Sequence, residues 1–143
     1  MFSIIFAISF GLNPINEFLN PMSSKYYFED IGLRNSLIGF NPNDIAKIIE
    51  NIVFLHLRNK GYTLKIGVLE NPEIDFVAEK DGETAYFQAT YLLSDEKVIE
   101  REFGNLLKIE DNYPKYVISM DTFLAKNSYK GVIHKTLIDF LSD

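Results

Sequence analysis

The chain has 143 residues, the length of one ordinary domain, and 47% of them are hydrophobic, enough to form a sizeable core. It carries 14 Lys and Arg against 20 Asp and Glu, and the resulting net charge of -6 argues against general electrostatic binding of nucleic acid. Cysteine is absent, which excludes disulfides, Cys-based zinc sites and thiol nucleophiles, and the two histidines argue against a His-rich metal site. No run approaches the roughly 20 apolar residues that cross a bilayer. The composition therefore predicts a cytoplasmic domain without a membrane span.

The N-terminal segment differs in composition from the rest of the chain. Residues 1–12, MFSIIFAISFGL, are apolar, and residues 13–24 have the Asn-Pro breaks of a connector. No Lys or Arg precedes the apolar run and no small-x-small cleavage site follows, which argues against a secretory signal. Two interpretations stay open: a signal or anchor, and a helix or strand that packs on the domain or on a partner. We predict an apolar leader and linker over 1–24 and one domain over 25–143.

Turn residues and hydrophobic periodicity predict the elements of this domain. Asn43 is the predicted N-cap of a long helix that Gly61 closes, and Asp81-Gly82 is the signal for a two-residue hairpin turn. In chain order the predicted elements are a strand at 26–28, helices at 30–37 and 44–60, strands at 62–69, 73–79 and 84–91, a helix from 94 or 95 to 107, a strand at 115–120, and a strand with a helical turn at 131–141. The resulting order α-β-β-β-α-β predicts a central mixed sheet flanked by helices, an α/β or α+β sandwich.

The predicted hairpin has one polar face. If the two residues that flank the Asp-Gly turn pair with each other, the register is fixed and Asp75 lies opposite Gln88. Alternation then places Glu73, Asp75, Gln88 and Thr90 on one face. The opposite face is apolar and forms core: Ile74, Phe76, Ala78, Ala85, Phe87 and Ala89. The polar face is either exposed to solvent or covered by the long helix.

A carboxylate interrupts the apolar arc of the long helix. Glu50 lies between Phe54 and Leu57 on that arc, so burial of its charge requires a partner, a proton or a metal. Either Glu50 reaches solvent or a salt bridge at the edge of the arc, or it belongs to a polar site. If the long helix covers the polar face of the hairpin, Glu50, Asp75 and Gln88 converge as oxygen ligands for a hard cation such as Mg²⁺.

Four further features have structural interpretations. Glu102 falls inside the apolar stripe of the second helix, where a pair with an Arg or a Tyr is predicted. His56 is interpreted as a core histidine satisfied by one hydrogen bond, and His134 is assigned no role. The aromatic run at 26–28 can stack on bases, but consecutive aromatic residues in a strand favour packing.

The order of a helix Glu, a strand Asp and a polar-x-polar pair on the next strand resembles the PD-(D/E)XK nuclease core, a restriction-endonuclease-like fold. In that fold the helix Glu, the strand Asp and the acid of Glu-x-Lys hold one or two magnesium ions, and the lysine positions and activates the attacking water. More narrowly, residues 25–141 resemble the C-terminal domain of unknown function of prokaryotic AAA-type ATPases. The stretches that carry the resemblance are KYYFEDIGLRNSLIGF, IIENIVFLHLRNKGY, NPEIDFVAEKDGETAYFQATY, EREFGNLLKIEDNYPKYVISMD and GVIHKTLIDFL.

The resemblance assigns four residues to a degenerate catalytic site. Glu50 takes the helix acid position, Asp75 the strand Asp, Gln88 the acid of Glu-x-Lys and Thr90 its lysine. An amide oxygen can coordinate Mg²⁺ but lacks the charge that holds it, and threonine can neither stabilise an oxyanion by charge nor help to deprotonate water. Lys65, on the preceding strand, is a candidate for a relocated amine.

These departures from the motif imply a nuclease-like domain with little or no catalysis, acting as an interaction or regulatory module. Its expected partner is another protein or a second copy of itself, with nucleic acid a weaker candidate. One alternative is a Mg²⁺-dependent endonuclease with Glu50, Asp75 and Gln88 as ligands. Another is a structural remnant of a truncated ATPase, because residues 1–24 lie outside the resemblance. The P-loop motif G-x-x-x-x-G-K-[ST] is absent from the sequence, so we expect no ATP hydrolysis.

Overall fold

A six-stranded mixed β-sheet forms the centre of the computed structural model, which describes residues 5–8, 25–68, 73–122 and 128–143. The strands in these residues are β1 (Ile5–Ile8), β2 (Lys25–Phe28), β3 (Thr63–Val68), β4 (Glu73–Lys80), β5 (Glu83–Ala89), β6 (Lys115–Ser119), β7 (Ser128–Tyr129) and β8 (Val132–Thr136). The helices are α1 (Ile31–Ile38), α2 (Ile45–Asn59), α3 (Glu96–Leu107) and α4 (Leu137–Ser142), with a 3₁₀ turn at Pro42–Asp44 before α2. The predicted α/β class and the order α-β-β-β-α-β, from α2 to β6, are confirmed, whereas β7 and the 3₁₀ turn were not predicted.

The sheet combines an antiparallel half with a parallel half. Its strand order is β3-β4-β5-β6-β8-β7. Strands β3, β4 and β5 are antiparallel, β6 is parallel to both β5 and β8, and the short β7 is antiparallel to β8. The parallel pair β5 and β6 requires a crossover connection, which α3 provides. In the part of the chain that the structure describes, no helix is long and apolar enough to cross a membrane.

The hairpin of β4 and β5 has the predicted turn. Asp81 and Gly82 both have positive φ angles, 53° and 83°, as a two-residue type I′ turn requires. The residues that flank the turn pair with each other, and the predicted register holds as far as the pair of Phe76 and Phe87.

Strand β4 contains one extra residue near its start. Lys65 and Gly67 of β3 pair with Val77 and Ile74 of β4. One residue lies between the paired positions on β3, whereas two residues, Asp75 and Phe76, lie between them on β4. This is a β-bulge, which interrupts the alternation of side chains and directs one of them to the opposite face. The predicted alternation of β4 is therefore wrong at its N-terminal end.

Helices cover both faces of the sheet and form two buried clusters. The cluster under α2 and α4 contains Tyr27, Ile49, Val53, Phe54, Leu57, Leu64, Phe76, Ala78, Phe87, Ile118, Leu137 and Phe140. The cluster under α3 contains Ile74, Leu93, Phe103, Leu106, Val117 and Val132. Helix α2 thus covers the apolar face of the hairpin. Ile74, predicted to share a face with Phe76, lies in the other cluster because the bulge shifts the alternation by one residue.

The ends of α2 agree with prediction only in part. Gly61 follows the last turn with φ of 88°, as predicted for a residue that closes a helix. The predicted N-cap, Asn43, is wrong. The side chain of Asn41 instead accepts a hydrogen bond from the Asn43 amide and caps the 3₁₀ turn, which continues directly into the helix.

Strand β2 lies against α2, outside the six-stranded sheet. The Asn51 side chain accepts from the Phe28 amide and donates to the Phe28 carbonyl, both at 2.8 Å. The Tyr27 ring stacks on Phe54 with centroids 4.3 Å apart. Packing, rather than base stacking, is therefore confirmed for Tyr27. Strand β1 pairs antiparallel to β2, and the rest of the predicted leader and linker, 1–4 and 9–24, lies outside the described residues.

Candidate functional site

An ammonium group lies among three carboxylates where β2, α2 and β4 meet. The Lys25 Nζ is 3.0 Å from Glu50 Oε1, 2.7 Å from Glu73 Oε1 and 3.4 Å from Asp75 Oδ1. The side chains of Lys25, Glu50 and Asp75 are 29%, 17% and 10% exposed and are largely shielded from water, whereas that of Glu73 is 43% exposed. We call Lys25, Glu50, Glu73 and Asp75 the lysine–carboxylate cluster. Lys25 had no predicted role, although Glu50 and Asp75 were both candidate site residues.

The position of Lys25 follows from the docking of β2 on α2. The Asn51 side chain bonds to both the amide and the carbonyl of Phe28, as the backbone of a neighbouring strand would. Tyr27 stacks on α2 and its hydroxyl donates to Glu50 Oε1 at 2.6 Å. These contacts fix Tyr27 and Phe28, the second and third residues after Lys25 in the chain. Glu50 thereby receives a hydrogen bond and an ion pair, which compensate the burial of its charge.

The bulge in β4 positions Asp75 in the cluster. Asp75 Oδ2 accepts a hydrogen bond from the Ala89 amide at 2.8 Å, and Oδ1 contacts the ammonium of Lys25. Burial is the main cause that raises the pKa of Asp75 to about 7; the nearby charge of Glu50 adds to it and the ammonium opposes it. Asp75 is therefore expected to titrate near neutral pH.

The amine and the phenol beside these carboxylates keep their protons. Burial opposes the charge of Lys25, but the carboxylates of Asp75 and Glu50 outweigh it and raise the pKa of Lys25 above its ordinary value. Burial, reinforced by the negative charge of Glu50, also raises the pKa of Tyr27 above its usual range. The cluster therefore contains a permanent cation, and a neutral hydrogen-bond donor, Tyr27, lies beside it.

Gln88 bonds to the backbone of Asp75 and to α3. Its Oε1 accepts from the Asp75 amide at 3.3 Å, and its Nε2 donates to Glu102 Oε2 at 3.1 Å. Arg101 donates twice to the other carboxylate oxygen of Glu102, at 2.6 and 3.0 Å. The predicted pairing of Glu102 with an arginine is confirmed, and Gln88 is a second partner that was not predicted. Thr90 is buried just beyond β5, where its amide donates to the Ile118 carbonyl.

The structure brings together only some of the residues that the motif assigns. Glu50 and Asp75 share one ammonium, and the oxygen of Gln88 is already engaged by an amide proton. Lys65 does not supply the relocated amine, because it pairs with Glu79 at 2.9 Å on an exposed part of β3 and β4. Within residues 25–68, 73–122 and 128–143, no three His, Asp or Glu side chains are spaced to hold a metal ion. As arranged, these donors do not fit Mg²⁺.

Neither histidine contributes to the cluster. His56 Nε2 is buried without a hydrogen-bond partner in the described part of the chain, and the residue as a whole is half-buried. The ring lies 4.7 Å from Phe140 of α4. His134 Nε2 is 2.8 Å from Ser119 Oγ, and this pair links β8 to β6. Ser119 is completely buried, so the pair does not form an accessible nucleophile.

Comparison with known proteins gives one relative of unestablished role. An uncharacterized protein of Haemophilus influenzae is 39% identical over 119 residues, which cover 83% of this chain and 29% of the relative. The chain thus matches less than a third of a much longer protein. No family model matches the chain, and no solved structure matches it. The fold and the site therefore define the class of the described residues as an α/β domain with a buried lysine–carboxylate cluster.

Proposed function

We propose that this chain is a nuclease-like domain without metal-dependent catalysis that acts as an interaction or regulatory module. The observation that carries the proposal is the position of Lys25, whose ammonium contacts three carboxylates at 2.7–3.4 Å. A fixed ammonium supplies positive charge where a metal ion would otherwise provide it, and it offsets part of the negative charge of these acids within the chain. A metal-dependent hydrolase instead needs an ion with an open coordination position for water.

A restriction-endonuclease-like core is part of this proposal. Its support is the arrangement of Glu50 on a helix that packs on the sheet, with Asp75 near the start of the first strand of a hairpin whose second strand pairs parallel to β6. The resemblance to the C-terminal domain of AAA-type ATPases adds a context in which such a domain belongs to a larger assembly. The greater length of the Haemophilus influenzae relative is compatible with that context.

Helix α1 supports the interaction role. Its one buried residue is Arg34, which pairs with Asp44. The apolar side chains of Leu37, Ile38 and Phe40, at and just after its C-terminal end, are 66%, 62% and 62% exposed. A surface helix ordinarily buries its apolar side and exposes its charges. Exposed apolar patches are typical of interaction sites, and we take a second copy of the chain as the partner.

An endonuclease is the second candidate, because Lys25 supplies an amine within 3.4 Å of Asp75 although Thr90 replaces the lysine of the motif. Incubation of supercoiled DNA with the protein and Mg²⁺ or Mn²⁺ separates the two candidates. We expect no cleavage above the level of Asp75→Asn. The matched control is Asp81→Asn, at the exposed turn, where Asn tolerates the positive φ equally well. Metal-dependent cleavage that Asp75→Asn abolishes and Asp81→Asn retains would overturn the proposal.

The interaction role is tested by sedimentation velocity over a series of protein concentrations. The wild-type chain is expected to self-associate as concentration rises. The double variant Ile38→Ser, Phe40→Ser should remain monomeric, because it lacks two of the three exposed apolar side chains. Ile138→Ser, on α4, removes an equally exposed isoleucine elsewhere and should leave the association unchanged. If all three proteins have the same sedimentation profile, the α1 surface does not mediate self-association.

A further inference from the structure

The side-chain amide of Gln88 is bonded at both ends inside the domain. Its oxygen accepts from the Asp75 amide and its nitrogen donates to Glu102. Both side chains are largely buried, Gln88 on β5 and Glu102 on the inner face of α3. The contact therefore joins the edge of the lysine–carboxylate cluster to the helix on the opposite face of the sheet.

These partners permit one orientation of the amide. A backbone N–H can only donate, so the atom facing Asp75 must be the oxygen of Gln88. An ionised carboxylate can only accept, so the atom facing Glu102 must be the NH₂ group. Arg101 bonds to Oε1 of Glu102 and leaves Oε2 for this contact. Each neighbour alone specifies the same orientation, and the Asp75 amide occupies one of the two lone pairs of the Gln88 oxygen.

We infer that Glu102 is a positioning residue that requires a neutral amide at residue 88. This inference rests on the proposed function, in which the corresponding carboxylate of the nuclease motif is missing. A carboxylate at residue 88 would lie about 3 Å from the carboxylate of Glu102, with no proton between two acceptors. The amide that takes the place of the acid of the motif at residue 88 is therefore matched by the carboxylate of Glu102 on α3. Restoring the acid of the motif requires a second change at residue 102.

The test is a double-mutant cycle measured by thermal unfolding in metal-free buffer. Gln88→Glu should lower the melting temperature by about 5–10 °C, because two carboxylates then face each other in a buried position. Glu102→Gln alone should cost only a few degrees, since its amide oxygen can still accept from Gln88. The combined variant exchanges acid and amide and should recover at least half of the loss. Glu100→Gln, on the exposed side of α3, is the matched control for the change at residue 102.

The pH dependence separates positioning by hydrogen bonding from simple packing. The deficit of Gln88→Glu should shrink between pH 8 and pH 5, because a carboxyl that takes a proton becomes a donor to its neighbour. The combined variant should show no such recovery. Additive effects of the two substitutions, or a deficit independent of pH, would overturn the inference. The cycle contains neither metal nor DNA, so DNA cleavage by the wild type would refute the proposed function and leave this result standing.

Discussion

Replacement of Lys25 by Met should lower the free energy of unfolding by about 3 kcal/mol at pH 8, measured by urea denaturation. The substitution retains most of the aliphatic side chain and removes the charge. Glu50 and Asp75 then lie close together without a counter-ion, and loss of one partner of a buried pair costs about 3–5 kcal/mol. We expect the lower end of that range because 29% of the Lys25 side chain is exposed to water.

The control for this variant is Lys65→Met, which removes an ammonium from an exposed pair with Glu79. Exposed pairs contribute about 0–1 kcal/mol, so this variant should unfold close to the wild type. The cost of Lys25→Met should also decrease as pH falls from 8 to 5. Asp75 has a pKa of about 7 beside the ammonium. Without that ammonium it binds a proton more readily, and the neutral form no longer needs the missing charge. A cost equal to that of Lys65→Met would contradict the role of the cluster.

Phe54→Ala should destabilise the protein by about 3–5 kcal/mol. The ring is 1% exposed and lies between the strand that carries Lys25 and the sheet. It stacks on Tyr27 at 4.3 Å and lies 6.1 Å from Phe76. Truncation removes the surface on which β2 docks, so part of the cost arises from a less ordered Lys25. Urea denaturation measures the loss of stability of this variant.

Phe40→Ala is the matched control, measured at a protein concentration at which the chain is monomeric, because it deletes the same atoms from a side chain that is 62% exposed. Surface substitutions of this kind usually change stability by about 0.5 kcal/mol or less. Comparable losses for the two alanine variants would show that Phe54 does not anchor β2. Addition of Lys25→Met to Phe54→Ala tests the connection further. If the ring positions the ammonium, the combined loss should be smaller than the sum of the two separate losses.

Local sequence signals predicted the positions of the helices and strands well. They predicted less well which side chains share a face of the sheet. Asp81-Gly82 fixed the hairpin register because only a few residue types adopt the two positive φ angles of that turn. The predicted register nevertheless placed Asp75 and Gln88 on one face. In the structure Asp75 contacts the cluster beside α2, whereas Gln88 reaches α3. The extra residue in β4 has no signature in the alternation of apolar residues, so only the pairing with β3 reveals it.

Only part of the lysine–carboxylate cluster could be predicted from the sequence. Glu50 and Asp75 interrupt apolar patterns, and such interruptions are visible in a single sequence. Lys25 precedes the aromatic run at 26–28 and interrupts no apolar pattern. Its partners lie 25 to 50 residues further along the chain, and the contact depends on Asn51 bonding the backbone of Phe28. A residue positioned by a tertiary contact of its neighbours leaves no periodic trace in the sequence.

The bulge also affects how this domain can change in evolution. Two residues of β4, Asp75 and Phe76, occupy the space opposite one residue of β3, so that Ile74 and Phe76, two positions apart, lie on opposite faces of the sheet. Loss of the single codon for Asp75 would therefore leave an uninterrupted ladder with the same turn and the same flanking faces. Asp75, one of the three acids of the cluster, is therefore an inserted residue of β4. A lineage can lose it in one step without a change of register elsewhere in the hairpin.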